Sequence, residues 1–178
     1  TMINVIAADR VMIVAGGGEA ADVVRGWDEI HRLDVEVSHW LAIDSMGLTA
    51  MLLAGLLPEA VLAKDQKSAG FHTRGGTMVI LEPRSILDEM PGETMATLPV
   101  GWDCSSDSIA AWIASRWKVD SLVLAKSVDM PMADTNSTKS SGVVDACFNS
   151  VVGSDLPVYW CNIQRSPDRV ELWKPASR

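Results

Sequence analysis

The sequence predicts an α/β domain with three layers, α/β/α, around a mainly parallel sheet. Short apolar runs rich in β-branched residues alternate with longer segments whose apolar residues recur at helical spacing, as in strands joined by crossover helices. A second indication is the apolar run Val11–Val14, which leads to three glycines and then at once to a helix-compatible segment. We expect this strand to be central in the sheet, and the 178 residues to form one domain.

The first half of the chain contains two predicted helices and three strand-like runs. They are a strand at Val11–Val14, helices at Glu19–Ile30 and Val35–Leu57, and short apolar runs at Ala60–Ala63 and Thr77–Leu81. The long helix is predicted because its apolar residues recur every three to four positions, and Pro58 ends it. A polar, glycine-containing stretch at Ala69–Gly76 separates the two short runs.

The second half continues the alternation of helices and strands. Pro83 opens a short helix to about Glu89, and Ser105 or Ser106 caps another helix through Trp117. The segment Met130–Ser141 is rich in Ser, Thr, Asp and Pro, which predicts a loop. The other predicted elements are strands at Ser121–Ala125, Val158–Ile163 and Val170–Trp173 and a short helix at Gly142–Asn149.

The composition excludes several classes of function. A net charge of −8 argues against a nucleic-acid surface, which needs clustered Lys and Arg, but not against a nucleotide. The longest apolar run, around Met51–Leu57, is too short to cross a bilayer. Three widely spaced cysteines, Cys104, Cys147 and Cys161, exclude a disulfide framework and a zinc pattern. A reducing cytoplasm is therefore the expected compartment.

The three glycines Gly16, Gly17 and Gly18 are the first candidate site. Glycines at a strand-to-helix junction let the chain turn sharply and let a ligand approach main-chain N–H groups. The first turn of the following helix adds unpaired N–H donors and a positive dipole end, so the junction suits an anion. Neither the dinucleotide fingerprint nor the P-loop pattern is present. A tight turn without a ligand is the alternative.

Several segments in the same order resemble the amino acid kinase superfamily, which includes acetylglutamate, aspartate, glutamate 5- and uridylate kinases. They are the strand-Gly-Gly-Gly-helix element, the Ser-Ser-Asp-Ser-Ile-Ala-Ala helix start at 105–111 and the Leu-Val-Leu-Ala-Lys-Ser-Val-Asp segment at 122–129. Ser38–Met46 and Trp102–Ala110 look more like one branch, the aminomethylfuran phosphate kinases of methanofuran synthesis. The resemblance covers about residues 11–148. It implies an acceptor-side half at about 1–95 and a nucleotide-side half at about 96–178.

The resemblance implies a kinase that uses ATP and Mg²⁺ to transfer the γ-phosphoryl group to a phosphate or carboxylate acceptor. Phosphoryl transfer needs mainly positioning and charge neutralisation from the protein. The candidate catalytic residues are Asp107, which the resemblance implies would orient phosphate-binding lysines or a metal, and Lys126, which would reach a nucleotide phosphate. Helix capping is the alternative for Asp107, and a solvated surface lysine is the alternative for Lys126.

The other candidate residues are expected to contact phosphate, substrate or nucleotide. They are Gly16, Gly17, Gly18, Arg25 and Ser106 on the substrate side, and Lys126, Ser127, Asp129 and Trp102 for the nucleotide. Arg25 would meet an acidic substrate, or else form a salt bridge on its helix. Asp129 would approach Mg²⁺, or else bond its own loop. Trp102 is the tryptophan expected to stack on a ligand.

No metal held by histidines is predicted, because His31, His39 and His72 form no cluster of ligands. Among them, His39 lies beside Trp40 on the long helix. We interpret it as a buried histidine whose hydrogen bonds are satisfied, rather than as a catalytic one.

The chain also departs from the pattern of the family. Members open with a strand ending in Lys-x-Gly-Gly-Ser, whereas this chain starts at Thr1-Met2-Ile3-Asn4, so we expect an N-terminally shortened protein. The usual Val-Asp-Gly is replaced by Val-Asp-Met at 128–130. A catalytically impaired ligand-binding or regulatory protein on the same scaffold is therefore the alternative, and a structural subunit completed by a partner chain is a third.

Self-association is expected through the helix at Val35–Leu57. Its apolar residues cover more than half of its circumference and include Trp40, Met46, Leu48 and Met51. A stripe wider than one core contact often packs against a second subunit. Homodimers are also common in the superfamily that the chain resembles.

Overall fold

The computed structural model describes residues 10–89, 98–131 and 143–177. The elements of the first half are β1 (Met12–Val14), α1 (Gly18–His31), α2 (Val35–Leu56), β2 (Val61–Ala63), α3 (Gln66–Arg74), β3 (Val79–Leu81) and α4 (Pro83–Asp88). Those of the second half are α5 (Ser106–Arg116), β4 (Leu122–Lys126), α6 (Phe148–Val151), β5 (Val158–Asn162) and β6 (Glu171–Lys174). The alternation predicted from sequence is therefore present.

Helix α3 is the element that the sequence did not predict. Its polar residues obscure a helical pattern, but Asp65 precedes it as a side-chain cap and accepts the N–H of Ser68 at 2.7 Å. Ala69 and Thr73 are buried on one side of it. The predicted helix at Gly142–Asn149 is shorter and later in the chain, at Phe148–Val151. Most of the predicted loop at Met130–Ser141 lies outside the described residues.

The first sheet has three parallel strands in the order β1-β3-β2. Met12 and Val61 both pair with Val79. All three residues of β3 are buried, because a parallel strand is covered on both faces. The expectation that Val11–Val14 would be central is wrong for the described sheet, since β1 lies at its edge and β3 has neighbours on both sides.

The side chains of β3 alternate between two parts of the core. Ile80 packs with Ala50 of α2 in one cluster, whereas Val79 and Leu81 pack with Ala69 of α3 and residues of α5 in another. This alternation follows from the period of two along a strand. The second cluster spans both halves of the chain, since it also contains Ile109 from α5.

The second sheet also has three strands, in the order β4-β5-β6. Strands β4 and β5 are parallel, and β6 is antiparallel to β5. Three of the four strand pairings in the described residues are thus parallel. Phe148 and Trp160 are buried there, and Trp173 packs its ring against both. The chain is α/β, with two small sheets in its described part.

Helix α2 contributes to the core on one side and is apolar on its exposed side as well. Its length and composition alone would allow it to cross a membrane, although its longest uninterrupted apolar run, around Met51–Leu57, is shorter than a membrane span. Seven of its residues are buried, and Ile43 and Met46 belong to the main core cluster, which is the arrangement of a core helix. Met46 is therefore unavailable to a second subunit, while Leu48, Met51, Leu52 and Leu56 are exposed.

Candidate functional site

A cavity of about 270 Å³ lies where the N-termini of α1 and α5 meet the side of α2. Its lining combines main-chain groups, a few polar side chains and an apolar wall. Among the residues predicted from sequence, the lining includes Gly16, Gly17, Gly18, Arg25, Trp102 and Ser106. The apolar wall is formed by Ala42, Ile43, Met46 and Ile109. Two helix N-termini at one cavity favour an anion, because both present N–H groups and positive dipole ends.

At the glycine turn, Gly17 is packed too closely for a side chain, and the backbone of Gly18 favours glycine. A Cβ on Gly17 would lie 2.6 Å from the Cβ of Ala21, and a Cβ on Gly16 would lie 3.4 Å from Ser106 Oγ. Gly18 has a φ of +54°, in the left-handed region that favours glycine. Thr49 Oγ1 donates to the carbonyl of Gly17 at 3.2 Å, so α2 holds the turn in place. Main chain therefore forms this part of the cavity.

Arg25 and Trp102 line the cavity together. The guanidinium of Arg25 lies 5.0 Å from the ring centroid of Trp102, a cation–π distance, and its Nη1 lies 2.5 Å from Asp22 Oδ1. Trp102 Nε1 donates to Asp28 Oδ2 at 2.7 Å. Arg25 thus forms the salt bridge on its helix that the sequence suggested and also lines the cavity. The indole of Trp102 packs against α1, and its stacking on a ligand remains a prediction.

His39 also lines the cavity, although the sequence led us to interpret it as a core residue. It is buried, with 6% of its surface exposed. Its Nδ1 lies 3.3 Å from both the N–H and the carbonyl oxygen of Gly101, which leaves Nε2 without a hydrogen-bond partner among the described residues. Burial lowers the pKa of His39 below 6.5, against smaller opposing effects of the Gly101 hydrogen bond and Glu36. The imidazole is therefore neutral at pH 7.

Cys104 is a second residue of the lining that sequence reasoning did not select. Burial, with a contribution from Asp145, raises its pKa to about 12. A thiol held protonated in this way is a poor nucleophile, so Cys104 contributes shape rather than chemistry to the cavity. No sequence signal marked Cys104 or His39 as cavity residues, because both were placed there by packing between distant segments.

The predicted catalytic residues Asp107 and Lys126 form an ion pair outside the lining of this cavity. Lys126 Nζ donates to Asp107 Oδ2 at 2.5 Å, with side-chain exposures of 22% and 12%. Burial raises the pKa of Asp107, while the hydrogen bond and charge of Lys126 oppose the rise. Asp107 is in the first turn of α5, and Lys126 ends β4. The sequence analysis selected Asp107 and Lys126 as separate candidates, and the structure shows that they contact each other.

The other predicted nucleotide residues lie on the surface. Ser127 and Asp129 are exposed. Asp129 accepts hydrogen bonds from Asn162 Nδ2 and Arg165 Nη1, both at 2.7 Å, and these bonds lower its pKa. Its partners lie at and just after the end of β5 rather than in its own loop. The described residues contain no group of three or more His, Cys, Asp or Glu side chains arranged to hold a metal.

Comparison with known proteins gives information about the fold. No protein-family model matches the chain, and no curated protein matches it. Among solved structures, it is similar to the uridylate kinase from Archaeoglobus fulgidus, with a TM-score of 0.64 and 19% identity. The match covers 96% of this chain and 86% of that one. The chain therefore shares the fold of that structure. At this level of identity the similarity shows the fold alone and leaves the chemistry to be argued from the site.

Proposed function

We propose that the protein is an ATP-dependent small-molecule kinase that transfers the γ-phosphoryl group to a phosphate or carboxylate acceptor. The observation that carries the proposal is the cavity at the N-termini of α1 and α5, on a kinase-like scaffold. Phosphoryl transfer needs main-chain donors and a cation rather than covalent chemistry. Gly16–Gly18, Ser106 and Arg25 supply groups of these kinds. We place the scaffold in the three-layer, mainly parallel class of amino acid kinase folds.

The acceptor is proposed to bind in the cavity with its anionic group toward the glycine turn. The apolar wall of Ile43 and Met46 would then contact the uncharged part of the molecule. The resemblance to the aminomethylfuran phosphate kinases adds methanofuran-type cofactor metabolism as one candidate setting. Phosphorylated aminomethylfurans therefore belong in the panel of acceptors to be tested.

The nucleotide is proposed to bind on the side of Lys126, Ser127 and Asp129. Lys126 would neutralise phosphate charge, and Asp107 would keep its ammonium in place, as their contact supports. Because the described residues offer no cluster of metal ligands, Mg²⁺ fits best as an ion carried mainly by the nucleotide phosphates, with at most one or two carboxylates. Mg²⁺ would supply neutralisation of the charge on those phosphates.

Turnover tests the proposal. ATP consumption is measured with the full chain across phosphorylated aminomethylfurans, acylated amino acids and nucleoside monophosphates. We expect turnover with one acceptor class and a rise in its KM in Arg25→Gln. Arg169→Gln is the matched control, because Arg169 is also an exposed arginine in an ion pair, with Glu171 at 3.2 Å, and does not line the cavity.

The alternative, a catalytically impaired binding or regulatory protein, predicts a different result. It is favoured if MgATP and an acceptor each raise the thermal midpoint, as ligands of the folded state do, while no member of the panel is phosphorylated. If neither binding nor turnover is found, the kinase proposal is abandoned.

We also propose a cytoplasmic homodimer formed through the exposed apolar residues of α2. These are Leu48, Met51, Leu52 and Leu56, and the neighbouring α1 adds Val23, Trp27 and Ile30. Light scattering at micromolar concentration should give twice the monomer mass, and Leu52→Lys should reduce it. A monomeric mass for the parent would contradict the dimer.

A further inference from the structure

Asp145 holds the beginning of α5 from a distant part of the chain. Its Oδ2 accepts the N–H of Ser105 at 2.9 Å, the hydroxyl of Ser105 at 3.0 Å and the N–H of Ser108 at 2.9 Å. Its Oδ1 accepts the hydroxyl of Ser108. Ser105 is the N-cap residue, but its own side chain makes no cap hydrogen bond. The capping task, usually local, is performed by a residue 37 to 40 positions away.

Asp145 also acts on the Asp107–Lys126 pair. Asp107 lies in the turn between Ser105 and Ser108, and both of these serines donate to the carboxylate of Asp145. Burial and Lys126 have the larger effects on the pKa of Asp107, and the negative charge of Asp145 raises it further. The turn that carries Asp107 is therefore held by the carboxylate of Asp145, while Asp107 itself bonds Lys126 at the end of β4.

The segment that carries Asp145 is itself fixed in position. The N–H of Cys147 donates to the carbonyl of Asp103 at 3.1 Å, and the N–H of Phe148 donates to the carbonyl of Asp145 at 3.2 Å. Phe148 is fully buried and anchors the segment in the second core cluster. The carboxylate of Asp145 is therefore carried by a packed segment of the chain.

Asp145 leaves part of the helix start open. It takes the N–H groups of Ser105 and Ser108, whereas the described residues provide no acceptor for the N–H of Ser106. Ser105 and Ser106 both line the cavity. An acceptor on every N–H of the first turn would compete with an anionic ligand for the helix N-terminus, and Asp145 leaves the N–H of Ser106 as a donor.

We propose that Asp145 is a positioning residue, which orients Asp107 toward Lys126 and keeps the N-terminus of α5 available to an anion. The proposed consequence for turnover rests on the kinase function above. Asp145 contacts neither nucleotide nor acceptor in this assignment. Its effect reaches them through Asp107 and through the main chain of Ser106.

The test compares Asp145→Asn with Asp120→Asn in the full chain. Asp120 is an exposed carboxylate in the same half, with no contact to α5 among the described hydrogen bonds. In Asp145→Asn we expect kcat to fall about a hundredfold, the loss typical of a misplaced catalytic group, with the KM for ATP nearly unchanged. The titration midpoint of Asp107, followed by carbon NMR, should rise because its carboxylate loses the contact with Lys126, whereas removal of the Asp145 charge alone would lower it. Asp120→Asn should change neither quantity.

Two results would overturn the proposal. One is a parent-like kcat together with an Asp107 midpoint that does not rise in Asp145→Asn, which would leave Asp145 as a helix cap that contributes only to the thermal midpoint. The other applies if Asp145→Asn does not fold. The test then uses Asp145→Glu, which keeps the negative charge but lengthens the side chain that carries it. A parent-like kcat and a parent-like Asp107 titration in that variant would contradict positioning. If the parent phosphorylates no acceptor, the kinase function fails, and the Asp107 titration still decides the role of Asp145.

Discussion

The cavity at the helix N-termini and the carboxyl end of β4 differ in how their predicted residues come together. At the cavity, the glycine turn, Arg25, Trp102 and Ser106 all line one space. At the end of β4, Lys126 points inward to Asp107, while Asp129 points outward to Arg165. The first site is built largely from main chain at element ends, which sequence patterns locate. The second depends on which partner each side chain finds, and that is decided by the fold.

Removing the inward cation should have the largest effect on stability. Lys126→Met leaves the carboxylate of Asp107 buried without its partner, which costs about 3 kcal/mol in comparable buried pairs. Because burial raises the pKa of Asp107, the loss of stability in Lys126→Met should become smaller at acid pH, where the carboxylate takes up a proton. Urea unfolding of the parent and the variant at pH 5 and pH 8 measures the loss and its pH dependence.

The outward pair is the matched comparison for that experiment. Arg165→Met breaks the ion pair with Asp129, whose two side chains are 75% and 62% exposed. Exposed ion pairs contribute little to stability, so we expect Arg165→Met to have the same free energy of unfolding as the parent. Equal losses of stability in Lys126→Met and Arg165→Met would show that the buried and the exposed ion pair contribute alike.

A change in the glycine turn should have the next largest effect. Gly17→Ala places a Cβ 2.6 Å from that of Ala21, and overpacking of this kind typically costs about 1–3 kcal/mol. Gly26→Ala, inside the helix that follows Gly17, is the control, because nothing lies within 4 Å of its added Cβ. That variant should be more stable than the parent by about 0.5–1 kcal/mol. Chemical unfolding measures both, and a parent-like Gly17→Ala would show that the turn can relax.

Apart from the control variants, the smallest effect should be the pH dependence of stability due to His39. Its folded pKa is lowered by burial, so the unfolded chain binds the proton more tightly. Stability is then fully present above about pH 7 and is lost as the pH falls through 6.5 toward the lower folded pKa. His39→Gln should flatten the curve of thermal midpoint against pH between 7 and 5. An unchanged slope would show that His39 is exposed to solvent through the cavity.

Much of the architecture could be predicted because it depends on local patterns. The strand before the glycines, α1, α2 and β4 lie within one or two residues of their predicted bounds. Helix α3 was not predicted because its cap, Asp65, lies in a polar stretch with little apolar periodicity. The edge position of β1 could not be predicted either, since the order of parallel strands depends on contacts between segments more than 60 residues apart.

The sequence by itself determined the alternation of strands and helices and the glycine turn between β1 and α1, because these follow from backbone preferences within a few residues. Only the tertiary structure decided that His39 and Cys104 face the cavity, that Lys126 pairs with Asp107, and that Asp145 caps a helix far from it in sequence. Side-chain partners from different segments are selected by packing and by the need to satisfy buried polar groups. Local sequence patterns contain no information on which distant segments pack together or which buried polar groups pair.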